Sequence, residues 1–252
     1  MSRPRVSVVI PAYRAAAFIE KTLAGVAAQA YQDFEVLVVD DGSPDDTQAV
    51  AQRFIESHGL DGGCARQENK KIAAARNNAL ARARGELVAF LDHDDLWAPD
   101  KLAVVTAEFD AHPEADLVHH PCRIVDTQGR QLGRTHNGHP GPDLYRDLLF
   151  LGNALCPSSV TVRAAKVREV GGFREDPAFD TTEDYDLWMR LAKVARFRFI
   201  EPVLGDYLMA SGGASKRVLY HHANIESLLR DHFARLPDPD LRTRLLMRRR
   251  LS

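Results

Sequence analysis

The sequence predicts an α/β protein with a Rossmann-like, mostly parallel central sheet and helices on both faces. Three observations predict it. Short β-branched apolar runs fall at residues 6–10, 34–39 and 87–91. Stretches with apolar residues at helical spacing separate them, giving a βαβαβ alternation. Acid-rich clusters follow the second and third runs directly, where an open parallel sheet receives its ligands.

Each element has its own signal. Residues 6–10 read as a buried strand that stops at Pro11. Phe18, Ile19, Leu23, Val26 and Ala27 then share one helical face. Residues 34–39 read as a second buried strand. Ser43-Pro44-Asp45-Asp46 looks like a helix start, with Ser43 as N-cap and Pro44 at the first helical position. That helix runs on through Val50, Phe54 and Ile55. An Ala-rich helix over 73–83 leads through Gly85 to the strand at 87–91. The second half is less regular. A helix is expected over 99–111, strand pieces within 117–125, a turn at 126–129 and a loop rich in Gly, Pro and His at 136–142. A strand at 159–162, a helix over 185–194 and a strand over 196–200 follow. From Val218 the chain reads as helical, with a break near Pro237-Asp238-Pro239. The expected organisation is a single domain over 1–217, with a nucleotide-binding half (1–98) and an irregular acceptor-binding half (99–217). A helical tail covers 218–252.

Composition excludes several classes. The 252 residues carry 33 Lys plus Arg and 35 Asp plus Glu, a net charge of −2, so a general nucleic-acid partner is not expected. With 45% hydrophobic and 27% charged residues, the chain is no disordered or collagen-like polymer. Cys64, Cys122 and Cys156 are widely spaced and odd in number, which fits three small buried residues in a reducing compartment rather than a disulfide framework. No apolar run is long enough for a transmembrane helix.

Three acid clusters stand out: Asp40-Asp41, Asp92-His93-Asp94-Asp95 and Glu183-Asp184-Tyr185-Asp186. One acid at a helix start is commonly a cap. Adjacent acids at two strand ends cost energy unless a cation or proton offsets them. The second cluster offers hard oxygen ligands with no cysteine beside them, a set that suits Mg2+ or Mn2+. Mg2+ takes one or two carboxylates and completes its shell with water and substrate phosphates. His119-His120 and His221-His222 are poor transition-metal candidates, since neighbours on a strand point to opposite faces.

Four stretches in order resemble the family 2 glycosyltransferases of the GT-A fold. They are Val6 to Tyr13; Val38-Val39-Asp40-Asp41-Gly42-Ser43 with Asp46-Thr47; Ala74-Ala75-Arg76-Asn77 with Gly85-Glu86 and Phe90 to Asp95; and Gly171-Gly172-Phe173 with Glu183 to Trp188. The resemblance implies an inverting, hexosyl-transferring enzyme. Its donor would be a nucleotide-sugar, a UDP-sugar by family expectation, and its acceptor a sugar, lipid-linked or other hydroxyl. Polysaccharide or glycoconjugate synthesis is the implied setting.

The same resemblance assigns roles. Asp41 would accept a hydrogen bond from the nucleotide base, supported by Asp40, with Pro11, Ala12 and Tyr13 lining base and ribose. Arg76 would reach the ribose or diphosphate side, and Asn77 would fix its loop. Asp92 and Asp94 match the family's D-x-D: Asp92 faces the ribose, and Asp94 ligates a Mn2+ or Mg2+ cofactor. His93 lies among these nucleotide-side residues as a bystander. Asp184 would be the catalytic base, with Glu183 orienting it or the acceptor. Trp188 is expected in the core.

This chain departs from the pattern at three places. Arg14 follows the first Tyr where Asn is usual, Lys71 stands at the usual glycine, and the late stretch from Tyr207 to Ser215 lacks the usual basic residue and His, with Lys216 as a substitute. That late loop leaves open a non-catalytic sugar-nucleotide binder or scaffold of the same fold. The tail arginines Arg235, Arg242, Arg244, Arg248, Arg249 and Arg250 read first as a solvated helix face, and second as peripheral contact with an anionic membrane or lipid-linked acceptor. The expected location is cytoplasmic, including the membrane surface.

Overall fold

A computed structural model describes residues 3–135, 143–209, 218–237 and 239–251. The first half alternates as expected, with one strand (β3) added: β1 (Val6–Ala12), α1 (Ile19–Ala27), β2 (Phe34–Asp40), α2 (Thr47–Ser57), β3 (Gly62–Arg66), α3 (Lys71–Arg82) and β4 (Leu87–Phe90). The second half adds β5 (Leu96–Trp97), α4 (Lys101–Ala111), β6 (Leu117–His119), β7 (Arg123–Val125), β8 (Gln131–Arg134) and α5 (Leu144–Leu151). Then come β9 (Val160–Arg163), α6 (Ala164–Glu169), α7 (Glu183–Leu191), β10 (Phe197–Phe199), β11 (Gly205–Leu208), α8 (Val218–Ala234) and α9 (Leu241–Leu251).

Seven strands form the central sheet in the order β10-β6-β9-β4-β1-β2-β3. All neighbours in it run parallel except β9, which is antiparallel to both β4 and β6. Side chains alternate across each strand, so β1 and β2 feed two cores. Val8, Ile10, Val36 and Val38 pack with Ile19, Leu23 and Leu102 on one face. Val9, Leu37 and Val39 pack with the α3 alanines, Phe90 and Trp188 on the other. Burying each large side chain contributes about 1.5–3 kcal/mol relative to exposure. Trp188 is fully buried, as expected for a core residue.

β1 continues through Pro11 to Ala12, past the expected stop. Val9 accepts from Leu91 on the β4 side, and Ala12 accepts from Asp41 on the β2 side. By that alternation the Pro11 nitrogen faces the β4 side, beyond the last β1–β4 pair (Val9 with Phe90), where no ladder donor is required.

Several expectations need correction. Ser43 does not cap α2, which starts at Thr47. The Ser43 hydroxyl instead accepts from the Arg14 N–H at 2.9 Å, and its own N–H donates to Asp40 Oδ1 at 3.2 Å. A long-range partner outbid the local one. β3 was not expected, because its sequence Gly-Gly-Cys-Ala-Arg has no apolar run and its pairing with β2 is what makes it a strand. α5, α6 and a second sheet, in the order β5-β11-β7-β8, were likewise not foreseen. Of the cysteines only Cys122 is buried, while Cys64 and Cys156 are half-buried. The loop at 136–142 lies outside the described residues.

α8 inserts Leu228, Leu229 and Phe233 into the core that holds Trp188. Among the described residues no helix is long and apolar enough to cross a membrane.

Candidate functional site

The site lies at the carboxyl ends of β1, β2 and β4, which share one edge because the three run parallel. Asp40 ends β2 and is fully buried, paired with Arg66 at 3.3 Å. Asp41 Oδ1 accepts from Gln67 Nε2 and from the Lys70 N–H, both at 2.8 Å. Asn69 donates to the Asp41 carbonyl. The loop between β3 and α3 therefore folds over the end of β2. Gly42 makes this approach possible: it has φ +71°, and a Cβ there would sit 2.8 Å from the Asn69 nitrogen. Pro11 and Ala12 are buried in β1, whereas Tyr13 is 40% exposed at its tip with the Arg14 guanidinium 5.4 Å from its ring.

α3 is helical because alanine has the best helix propensity, and its small side chains bring it close to β1 and β2. Its first residue, Lys71, has φ +73°, in the left-handed region that favours glycine, at the position where the resemblance expects glycine. The close packing encloses Arg76, which is 1% exposed. Its guanidinium donates to Asp92 Oδ1 at 2.6 Å and to Glu183 Oε1 at 2.7 Å, and it sits 5.2 Å from the Phe173 ring. Burial works against the Arg76 charge, but Asp92, Glu183 and Asp184 more than offset it. Next to it, Asn77 donates to the Phe173 carbonyl at 2.8 Å and accepts from the Phe173 N–H at 2.9 Å. The Ala-Arg-Asn stretch thus holds both the D-x-D turn and the segment that leads into α7.

The turn after β4 divides its acids. Asp92 takes the Arg76 bond and is partly exposed. The His93 ring contacts the Pro11 carbonyl at 3.2 Å, and its carbonyl accepts from Thr22. Asp95 is buried, accepting from Ser158 Oγ at 2.5 Å and from the Leu208 N–H at 2.8 Å, so it joins the two sheets. Asp94 is given no bond by another residue among the described residues, only one from its own N–H, and it stays partly exposed. Burial raises its carboxyl above the ordinary range, with His93 pulling it down and Asp92 pushing it up. Among the described residues no group of three or more His, Cys, Asp or Glu forms a metal cage. The donor set that does exist, neighbouring Asp92 and Asp94, fits a hard cation needing one or two protein carboxylates.

α7 opens with Glu183 and Asp184. Burial pushes Glu183 up to about 7, with Arg76 pulling down and Asp184 pushing up. Burial likewise pushes Asp184 up to about 6, against the pull of Arg76 and of the Tyr185 N–H. Asn153 Nδ2 lies 3.4 Å from Asp184 Oδ2. Thr181, just before the helix, has φ +67°, rare for a β-branched residue, and is bridged to His221 of α8 at 2.9 Å. The other histidine pair, His119-His120, is buried, and burial drives both to about 3 and keeps them neutral.

Arg76, Asp92, Glu183 and Asp184 are therefore gathered in one cluster, with Asp94 on the turn that carries Asp92. At the end of β2, Asp40 Oδ2 is ion-paired with Arg66 and Asp41 Oδ1 is already hydrogen-bonded. Sequence reasoning missed Gln67, Asn153 and Ser158. They sit in stretches without periodicity, and nothing local marks them. Residues 210–217, including most of the late stretch and Lys216, lie outside the described residues.

Comparison with known proteins agrees with this architecture. A family model described as "Glycosyl transferase family 2" matches residues 7–169. A chondroitin synthase of Escherichia coli is 31% identical over 202 residues, covering 79% of this chain and 28% of that protein. The chain spans 22–36% of the length of four other curated relatives. TarS of S. aureus, solved with UDP-GlcNAc, superimposes with a TM-score of 0.75 at 21% identity, covering 98% of this chain and 71% of that one. The mannosyltransferase PcManGT from Pyrobaculum calidifontis, solved with GDP-Man and Mn2+, gives 0.71 at 24% identity, covering 98% and 69%. The chain belongs to the family 2 glycosyltransferases and has their GT-A fold.

Proposed function

We propose that this chain transfers a sugar from a nucleotide-sugar donor, a UDP-sugar first, to an acceptor hydroxyl with inversion at the anomeric carbon. One observation carries the reading. Arg76 ties Asp92 of the turn after β4 to Glu183 beside Asp184, so a carboxylate of that turn and a candidate base are held close together. Relatives solved with UDP-GlcNAc and with GDP-Man support a nucleotide-sugar, and the Mn2+ of the second supports a divalent cation.

Asp41, which follows β2, would accept from a base-edge N–H, with Asp40 supporting it. Asp92 would face the ribose and Asp94 would hold the cation. A bound Mn2+ or Mg2+ would neutralise charge on the departing diphosphate. Asp184 would take the proton of the acceptor hydroxyl as its oxygen attacks the anomeric carbon. With a pKa of about 6 it is ionised at neutral pH yet basic enough to accept that proton. Glu183 is held by Arg76, so it orients rather than reacts. A single in-line displacement of this kind converts an α-linked donor into a β-glycoside.

The test is calorimetric titration of UDP, GDP and dTDP, each with Mn2+ and with EDTA, into wild type and Asp94→Ala. Tight binding of one nucleotide, lost with EDTA and in Asp94→Ala, is expected. A folded protein that binds none of them would leave a scaffold member of the fold.

A further inference from the structure

A cleft of about 550 Å3 opens between α5 and α9. Arg146, Arg249 and Arg250 line it with a single acid, Asp147, which leaves a net formal charge of +2. Its remaining wall is apolar: Phe150, Leu151 and Leu246. Leu151 is 66% exposed at the rim, and the Arg146 guanidinium lies 5.1 Å from the Phe150 ring.

The cleft adjoins the candidate base. Gly152 follows Leu151, and a Cβ there would lie 3.2 Å from the Arg250 guanidinium. Asn153 comes next and reaches Asp184. On the other side, Arg250 faces the hydroxyl of Tyr185, the neighbour of Asp184. The helix dipole accounts for basic residues in the last turn of α9, but solvated side chains would serve it equally well. Arg250 is instead turned inward, and its Nε is buried with no hydrogen-bond partner.

We propose that the α5–α9 cleft is the acceptor's anion subsite, taking a phosphodiester or diphosphate that joins an apolar chain to the hydroxyl-bearing part of the acceptor. The inference rests on Asp184 as the base of the proposed transfer. Guanidinium forks match phosphate oxygens in pairs. Phe150, Leu151 and Leu246 cover the apolar chain, and the hydroxyl-bearing part of the acceptor points along Gly152 and Asn153 toward Asp184. The volume falls in the range of small-ligand sites, about 300–1,000 Å3.

The experiment titrates geranyl phosphate, geraniol and inorganic phosphate into wild type, Arg250→Gln and Arg249→Gln, with UDP binding measured on the same preparations. Arg249 is exposed, so its replacement leaves the core untouched. Geranyl phosphate is expected to bind at least about tenfold more tightly than the other two probes, and each variant to weaken it by about tenfold. Equal binding of inorganic phosphate or of geraniol overturns the proposal, as does unchanged affinity in both variants. Binding to phosphatidylglycerol vesicles without binding to geranyl phosphate also overturns it, in favour of a membrane contact. Absent UDP binding with intact geranyl phosphate binding would remove the donor reading and leave the cleft assignment standing.

Discussion

Arg76 and Glu183 lie 107 positions apart in the chain and meet at 2.7 Å in its interior. The same guanidinium holds Asp92, so one cation sits between two carboxylates from different elements. Arg76→Met would leave the buried Glu183 and the partly exposed Asp92 near Asp184 without their counter-charge. Removing one partner of a buried pair costs about 3–5 kcal/mol. Urea denaturation at pH 8 should show a loss of that order. The loss should shrink as the pH falls toward about 7, because without the pull of Arg76 the Glu183 carboxyl takes a proton at a higher pH than the value of about 7 it has beside Arg76. A loss below about 1 kcal/mol would mean that the pairing contributes little.

Asp184 and Glu183 are separated by their pH signatures. With Asp184 as base, kcat/KM should fall about tenfold per pH unit below about 6 and level off above it, since only the ionised carboxylate accepts a proton. Asp184→Asn should lower kcat about 10²–10⁴-fold with UDP affinity unchanged. If Glu183 were the base, the break would come near 7, and Glu183→Gln would show the larger loss.

Lys101 is fully buried on α4, with its Nζ 3.0 Å from Thr161 Oγ1 and 3.7 Å from the Trp97 ring centre. Burial lowers it to about 7, with Cys122 pulling weakly upward. An unfolded lysine titrates near 10.4, so the unfolded chain holds this proton more tightly. Its cost to stability is therefore complete below about pH 7 and disappears as the pH rises toward 10. Lys101→Met should raise Tm by a few degrees at pH 6–7, about 2–4 °C per kcal/mol, and by less at pH 9–10. A gain independent of pH would point to packing alone.

Much of the site was legible because its residues occur in short local motifs. Asp40-Asp41 and Asp92 to Asp95 stand at strand ends that β-branched runs announce, and β4 and α3 formed close to where periodicity placed them. Arg76 was expected to reach toward the diphosphate. Its burial between Asp92 and Glu183 depends on α3 lying flat against the sheet, which a one-dimensional pattern does not encode. Ser43 had every local mark of a cap, but the Arg14 backbone claimed its hydroxyl. Asn153 and Ser158 lie in a stretch without periodicity, and each meets an acid from far along the chain.

The sequence by itself determined the α/β class, the parallel order of the first three foreseen strands and the positions of the acids. Alternation, helix propensity and strand-end chemistry act over a few residues, and those are the forces a sequence displays. The tertiary structure alone decided which acid pairs with Arg76, which carboxyls burial raises, how β9 reverses within the sheet and where the α9 arginines converge on α5. Those outcomes depend on desolvation and on contacts between distant elements, whose strength is set only when packing has excluded water.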